Sequence, residues 1–165
     1  MATDVLLGEI AQIIDCEHKT AKEELHDVFA FSVGTRALSG NFIDFKKCKP
    51  VSEETYYAWS RRGEVEPMDI ILAREAPVGG VGLVEAGQRV CLGQRTVLIR
   101  ANQEKVDPVF LKYYLQSPKS QWWFAEMSTG TTVRHVNVGD IKKLPISGLP
   151  DLATQTLVAS VLKNL

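Results

Sequence analysis

The sequence predicts a mixed α/β fold: a single compact domain with a bent, mostly antiparallel sheet, flanking short helices and a helix at the C-terminus. Two patterns support this prediction. Short runs of β-forming residues separated by Gly and Pro fill the middle of the chain, and helix-capping signals precede and follow them. The 165 residues, 45% of them hydrophobic, are enough for one ordinary core and favour one domain over two.

The N-terminal third of the chain contains three predicted elements. Residues 5–14 predict a short helix or turn that leads into a buried strand, and residues 28–33 are rich in β-forming side chains. Residues 52–62 predict a short helix, because Ser52 can cap its start, acidic residues fill the first turn and Gly63 lies just beyond its end.

The middle of the chain predicts four strands, at residues 69–73, 81–85, 88–92 and 95–100. The Gly-Gly-Val-Gly sequence at residues 79–82 predicts a tight hairpin with close backbone packing. These glycines do not open a helix, so they do not match a nucleotide-binding fingerprint.

Two helices follow, at residues 109–116 and 120–127, and they are predicted to meet at Pro118. Large aromatic side chains anchor cores more often than they form binding sites, so we expect those of this segment to be buried. These aromatic residues are Phe110, Tyr113, Tyr114, Trp122, Trp123 and Phe124.

The C-terminal part begins with a polar loop at residues 128–138, followed by a single helical turn at 139–143 and a short strand at 144–146. Apolar residues at helical spacing then predict a terminal helix from Asp151 onward. Its apolar stripe still runs at Leu165, so we expect further chain or a partner to pack there.

The charges and cysteines of the chain constrain its surroundings. The formal net charge is −1, which does not indicate a polyanion partner, although a balanced chain can still carry a local basic face. Cys16, Cys48 and Cys91 are widely spaced, which favours reduced thiols over a zinc site, and Cys16 with His18 is interpreted as a loop pair. No apolar stretch approaches the ~20 residues of a membrane span, and we expect a cytoplasmic location without membrane contact.

Motifs of catalytic sites are not apparent. The sequence contains no G-x-S-x-G elbow, no P-loop and no H-E-x-x-H, and we find neither the tetrapeptide of amino-methylating DNA methyltransferases nor a nuclease-like carboxylate array. The sequence therefore predicts a binding module with no catalytic residue, no metal and no cofactor of its own.

Four sets of segments carry a family resemblance. In chain order they are Leu7-Gly8-Glu9-Ile10 with residues 14–20, Arg74-Glu75-Ala76-Pro77-Val78-Gly79 with Cys91-Leu92-Gly93-Gln94-Arg95, residues 110–115 with 128–132, and residues 141–146 with Leu149-Pro150 and Gln155. The second set is the strongest. Together they span nearly the whole chain and resemble one target-recognition domain of a type I restriction-modification specificity subunit.

The resemblance implies a non-enzymatic module that binds double-stranded DNA and recognises one half of a bipartite target. Its partners would be the methylation and restriction subunits, which would use S-adenosylmethionine and ATP, and either a second recognition domain or a second copy in a homodimer. Residues 1–149 would form the recognition domain and residues 150–165 would begin the conserved spacer helix. With one domain, the chain resembles a truncated product, a half-subunit or an excised domain.

The predicted DNA contacts are polar or cationic residues in the expected loops, and an ordinary structural role competes with contact at many of them. Arg134 and Asn137 suit guanine and adenine, although Asn137 could instead cap the following turn. For Arg74 and Arg95 we favour a structural tie between Glu75 or another carboxylate and an arginine, with DNA contact by Arg74 as the lesser alternative. A cationic stretch interleaved with Phe42 and Phe45 is consistent with phosphate tracking, with an ordinary solvated face as the alternative; it comprises Arg36, Lys46, Lys47 and Lys49. The full set of predicted contacts is His18, Lys19, Thr20, Arg36, Lys46, Lys47, Arg61, Arg62, Arg74, Thr131, Thr132, Arg134, His135 and Asn137.

Two other functions remain open from the sequence. One is a DNA-modifying enzyme whose active site is not recognisable, and turnover with a cofactor would identify it. The other is a protein interaction domain that acts through the terminal apolar helix and does not bind DNA.

Overall fold

The computed structural model describes residues 3–165, in which nine strands alternate with short helices. The strands are β1 Thr3–Leu6, β2 Ala11–Asp15, β3 Ala30–Val33, β4 Lys49–Val51, β5 Ile70–Arg74, β6 Val78–Leu83, β7 Val90–Leu92, β8 Thr96–Ala101 and β9 Pro145–Leu149. The helices are α1 Leu7–Ile10, α2 Glu53–Trp59, α3 Pro108–Gln116, α4 Pro118–Met127, α5 Val138–Ile141 and α6 Leu152–Lys163, with 3-10 turns at Thr35–Leu38 and Phe45–Lys47.

The strands form three small sheets. The largest is antiparallel, with the order β2-β8-β5-β6, and β1 pairs with β9 in a second antiparallel sheet. In the third sheet, β3 pairs antiparallel with β4 and parallel with β7. The predicted mixed α/β, mostly antiparallel fold is confirmed, and its strands divide among three sheets.

The two central strands of the four-stranded sheet, β5 and β8, are buried on both faces. Ile70, Leu72 and Ile99 point into a core formed with α3 and α4, whereas Ile71 and Leu98 point into a second core on the opposite face. All five side chains are fully buried, which explains why these strands are continuous apolar runs and do not alternate with polar residues.

The hairpin predicted at residues 79–82 is wrong, because these residues form the middle of β6. The close packing expected there is present. A Cβ atom on Gly80 would lie 2.7 Å from the backbone oxygen of Leu38, and one on Gly82 would lie 2.6 Å from Cγ1 of Ile43. The glycines therefore allow another segment to cross the strand, and the chain turns before β6 instead.

The helix start predicted from the capping signal at Ser52 is confirmed, whereas α4 begins at Pro118, before the predicted residue 120. The Ser52 hydroxyl accepts a hydrogen bond from the Thr55 amide at 3.2 Å at the start of α2. Ser117 ends α3 and caps α4 through a 3.3 Å bond from the Ser120 amide. Such local hydrogen bonds are encoded by a few neighbouring residues.

The prediction that the helical aromatics are core residues is wrong for Trp122, whose side chain is 65% exposed. Phe124 is buried, and Phe110, Tyr114 and Trp123 pack partly buried against the core. Helix α4 buries only the face that carries Ser120 and Phe124, so the intervening position at Trp122 faces outward.

The three cysteines are free and buried, as expected for reduced thiols. Burial raises the pKa of Cys91 to about 11 and that of Cys48 to about 12. Because the thiolate is the reactive form, these two side chains are inert near neutral pH.

Helix α6 is attached to the rest of the fold through Gln155, which is buried. Its side-chain oxygen accepts from the Asp107 amide at 2.8 Å, and its amide group donates to the Pro150 oxygen at 2.8 Å. The outer face of α6 leaves Leu157 and Val161 exposed. Among the described residues, no helix is long and apolar enough to cross a membrane.

Candidate nucleic-acid interface

Three loops meet at Arg74, the last residue of β5. Its amide donates to the Arg95 oxygen at 3.0 Å, and its carbonyl accepts from the Val136 amide at 2.9 Å. Its guanidinium Nη2 lies 3.2 Å from Nδ1 of His18. The loops that follow β2, precede β8 and follow α4 are therefore held side by side.

Ion pairs connect the first of these loops to the end of α2. We call this group the paired cluster. It comprises Asp15, Glu17, His18, Arg61, Arg62 and Arg74.

Asp15 is the central acid of the paired cluster. Its carboxylate lies 2.7 Å from Nε2 of His18, 3.7 Å from Nε of Arg74 and 4.0 Å from Nη1 of Arg62. Arg74 is only 11% exposed, so the carboxylate balances a charge that water solvates poorly.

Glu17 is the second acid, and it faces two arginines that follow α2. Arg61 and Arg62 each approach its carboxylate to 3.6 Å, and the Glu17 side chain is 12% exposed. The structure thus brings together four predicted contacts, His18, Arg61, Arg62 and Arg74, but it pairs them with the protein's own acids.

The hydrogen bonds of His18 define its protonation pattern. A guanidinium can only donate, so Nδ1 of His18 accepts from Arg74 and Nε2 carries the proton that is donated to Asp15. Cys16 Sγ lies 3.9 Å from the same Nδ1. Asp15, Cys16 and His18 could each offer a metal ligand, but a metal ion would compete with Arg74 for the Nδ1 lone pair.

The backbone is strained at three points on this surface. His18, Ala76 and Arg95 have φ angles of 57°, 48° and 68°, in the left-handed region that side chains other than glycine rarely adopt. Such conformations persist where surrounding contacts impose them, and they cluster at binding sites. Here they lie in the loop after β2, the turn after β5 and the turn before β8.

Beside the paired cluster lies a cavity of about 210 Å³, which we call the basic pocket. Four of its lining side chains are cationic and none is acidic. The lining residues are Thr20, Ala21, Ser32, Gly34, Thr35, Arg36, Lys47, Lys49, Gly93, Gln94 and Arg95.

Two cations of the basic pocket have acidic partners outside it. Lys47 lies 3.5 Å from Asp44, and Arg95 lies 3.4 Å from Glu75. The Glu75 pair confirms the predicted structural tie between this carboxylate and an arginine. Lys49 donates to the Ala21 oxygen at 3.0 Å.

The loop after α4 forms a small hairpin, which we call the hairpin loop (residues 129–137). Thr129 and His135 exchange two backbone hydrogen bonds of 2.9 Å, and His135 forms a bridge with Glu75. The tip exposes Thr131 and Thr132, which were predicted to contact DNA.

Two other predicted contacts in the hairpin loop differ in their bonding. Arg134 donates to the Ala125 and Ser128 oxygens at 3.0 Å, so its guanidinium is held against the end of α4. Asn137 occupies the N-cap position of α5 without a capping side-chain hydrogen bond, so the capping alternative is wrong for its side chain. Asn137 is exposed and its amide can serve another partner.

The remaining predicted contacts are distributed unevenly. Thr20, Arg36 and Lys47 line the basic pocket, and the Lys19 oxygen accepts from the Trp59 indole at 3.1 Å. Lys46 is exposed but does not line the pocket. Lys49 was considered with Arg36, Lys46 and Lys47 as part of a stretch that could track phosphates, whereas Gln94 and Arg95 were left out of the predicted contacts.

The two omissions had a weak signal in the sequence, because Gln94 and Arg95 belong to the Leu-Gly-Gln-Arg segment. These two residues and Lys49 are far apart along the chain. What brings them together is the packing of β4 and of the turn before β8 around one cavity, and no local pattern encodes it.

The chain matches the family model of the type I restriction modification DNA specificity domain over residues 3–165. The chain belongs to this family. The resemblance drawn from the four sets of segments is therefore confirmed.

Two relatives from this family are named specificity subunits. The type I restriction enzyme MjaX specificity subunit of Methanocaldococcus jannaschii is 33% identical over 101 residues, and the EcoBI specificity subunit of Escherichia coli is 24% identical over 113 residues. The matches cover 60% and 68% of this chain but only 22% and 23% of the relatives. The family and these names support a non-catalytic specificity module over an enzyme.

Solved structures of type I systems share the fold of this specificity domain. The S subunit from M. genitalium superposes with a TM-score of 0.67 at 16% identity, covering 99% of this chain and 38% of that one. The HsdS subunit from Thermoanaerobacter tengcongensis gives a TM-score of 0.63 at 18% identity, covering 98% and 36%. The chain thus corresponds to a little over a third of each solved subunit.

Proposed function

We propose that this specificity domain recognises the sequence of one half of a bipartite site in double-stranded DNA. The observation that carries the proposal is the convergence of three loops on Arg74, which places most of the predicted contacts on neighbouring loops. Loops held on a rigid scaffold are the usual carriers of recognition.

The local charge of this surface supports the proposal better than the net charge does. The chain carries 19 Lys and Arg against 20 Asp and Glu, yet the basic pocket has four cationic lining residues and no acidic one. Attraction to phosphates depends on such local groupings.

The hairpin loop supplies the groups best suited to base edges. Thr131 and Thr132 offer hydroxyls that donate or accept, and the Asn137 amide has the paired donor and acceptor that match adenine in the major groove. Arg134 is less suited to this role than the sequence indicated, because its Nη2 already bonds two backbone oxygens.

The partners of the module are also part of the proposal. The domain would direct methylation and restriction subunits that hold S-adenosylmethionine and ATP, in the cytoplasm. Residues 150–165 would begin the spacer, because α6 keeps an exposed apolar face with Leu157 and Val161 on it, and the exposed Leu165 follows the helix. A second recognition domain or a second copy of this chain would supply the other half-site.

Selection from a randomised pool of duplexes tests the recognition proposal. The chain is incubated with the pool at low and moderate salt, with and without a methylation subunit, and retained duplexes are sequenced. We expect enrichment of one short sequence that persists at moderate salt. Retention that is absent, or that depends on salt and not on sequence, would contradict the proposal and favour an interaction domain.

A further inference from the structure

The basic pocket has the size of a site for a small group. At about 210 Å³ it lies below the ~300 to 1,000 Å³ typical of pockets for drug-sized ligands. It opens between the 3-10 turn that contains Arg36, strand β4 with Lys49, and the turn with Gln94 and Arg95.

Two of its four cations lack an acidic partner. Within residues 3–165, no carboxylate lies within ion-pair distance of Arg36 or Lys49. Lys49 is partly buried, and the only bond its ammonium group makes among the described side chains and carbonyls is to the Ala21 oxygen at 3.0 Å. Cations gathered around a cavity without a balancing acid repel one another, and an anion in the cavity relieves this repulsion.

The polar groups of the pocket are held in place. The Gly93 amide donates to the Val33 oxygen at 2.9 Å, and the Thr96 hydroxyl donates to the Gly93 oxygen at 2.8 Å. A Cβ atom on Gly93 would lie 2.7 Å from the Val33 oxygen, so only glycine allows this approach. The turn that carries Gln94 is therefore fixed against β3.

The Gln94 side chain adds a hydrogen-bond donor. Its Oε1 accepts from the Thr20 hydroxyl at 2.9 Å, so the Nε2 amino group is the polar group that remains to face a ligand. The pocket thus combines positive charge with an amide donor, and both kinds of group contact phosphate oxygens.

We propose that the basic pocket binds one phosphate group of the DNA backbone, with Arg36 and Lys49 supplying the charge and Gln94 a hydrogen bond. This inference rests on the proposed function and adds that different parts of the surface supply affinity and sequence recognition. The pocket contributes affinity at one fixed point of the backbone and no information about sequence.

The salt dependence of duplex binding tests this site. The variant Arg36→Gln/Lys49→Gln removes both unpaired cations, and Lys119→Gln/Lys163→Gln removes the same charge from exposed positions on α4 and α6. We expect the pocket variant to lower the slope of log K against log salt by about 0.9, the value for one phosphate, and to weaken binding roughly fivefold at moderate salt. The control variant should change the slope by less than about a third of that.

A titration with inorganic phosphate separates the two possible sources of the anion. Proton–nitrogen NMR spectra of the complete chain are recorded with added phosphate, and the side-chain amide signal of Gln94 is followed in the wild type and the pocket variant. We expect a shift in the wild type that the variant loses. Thermal unfolding of each variant establishes that it is folded.

The outcomes distinguish this inference from the proposed function. A slope that falls only in the pocket variant supports a backbone phosphate site. An equal slope in wild type and pocket variant overturns it, even if inorganic phosphate shifts Gln94, because the pocket would then take a free anion. If no duplex binds to any form of the chain, the proposed function fails, and a phosphate-dependent shift would leave only an anion site unrelated to DNA.

Discussion

The paired cluster and the basic pocket adjoin each other on one surface, yet they use their cations differently. In the paired cluster, His18 and three arginines face the carboxylates of Asp15 and Glu17. In the basic pocket, Arg36 and Lys49 face no acid within the described part of the chain. Charges that are already paired fix the positions of loops, whereas unpaired charges remain available to attract phosphates.

The largest effect is expected from Asp15→Asn in the paired cluster. The substitution removes the carboxylate from Arg74, which is only 11% exposed, and from His18. We expect the free energy of unfolding to fall by about 2 to 3 kcal/mol, because a poorly solvated guanidinium loses its partner. Urea denaturation measures this change.

Asp27→Asn is the matched control for Asp15→Asn, since Asp27 is exposed. Its unfolding free energy should stay within about 0.5 kcal/mol of the wild type. Equal effects of the two substitutions would contradict a structural role for the paired cluster.

A smaller effect is expected from Glu17→Gln, which should strengthen DNA binding. The substitution releases Arg61 and Arg62 from a carboxylate that each approaches to 3.6 Å, and Arg62 keeps only its longer 4.0 Å pair with Asp15. We expect binding to a duplex of arbitrary sequence to tighten about fivefold, equivalent to ~1 kcal/mol, with a steeper salt dependence. Fluorescence anisotropy across a range of salt concentrations measures both quantities.

The control for Glu17→Gln is Glu104→Gln, which makes the same charge change in an exposed loop outside the paired cluster. Comparable tightening in both variants would show that overall charge, and not release of Arg61 and Arg62, causes the effect.

The smallest effect on stability is expected for Asn137, which belongs to neither the paired cluster nor the basic pocket and is expected to contact bases. Asn137→Ala should leave the unfolding free energy within about 0.5 kcal/mol of the wild type, because the side chain makes no capping bond. Ser52→Ala should cost ~1 kcal/mol, because the Ser52 hydroxyl does cap α2. If thermal unfolding shows equal losses of stability for Asn137→Ala and Ser52→Ala, Asn137 has a structural role instead.

Local signals made parts of the fold predictable from the sequence. The start of α2 was predicted because it depends on Ser52, whose hydroxyl accepts from an amide three residues away. The start of α4 depends on Ser117 in the same way, but the predicted helix began at residue 120. Strand β4 was missed because Lys49–Val51 is only three residues long and contains Pro50 after a lysine, and only its pairing with β3 makes it a strand. Contacts between distant segments override local preference in such cases.

Contacts between distant segments also limited the prediction of the candidate site from the sequence. Its loops were predicted to be polar and rich in hydrogen-bonding groups, and they are. The ion pairs from Asp15 to Arg62 and Arg74 join three separate segments, so the sequence could not show which arginines are paired and which are free.

The most direct test of the account measures discrimination between base pairs. A duplex obtained by selection is changed one base pair at a time, and the affinity of each is measured for the wild type, Arg36→Gln/Lys49→Gln and Asn137→Ala. We predict that the pocket variant weakens every duplex by the same factor, whereas Asn137→Ala loses ~1 to 3 kcal/mol of discrimination at one A·T pair. A wild-type profile with no discrimination, or two variants that change the profile in the same way, would contradict the account.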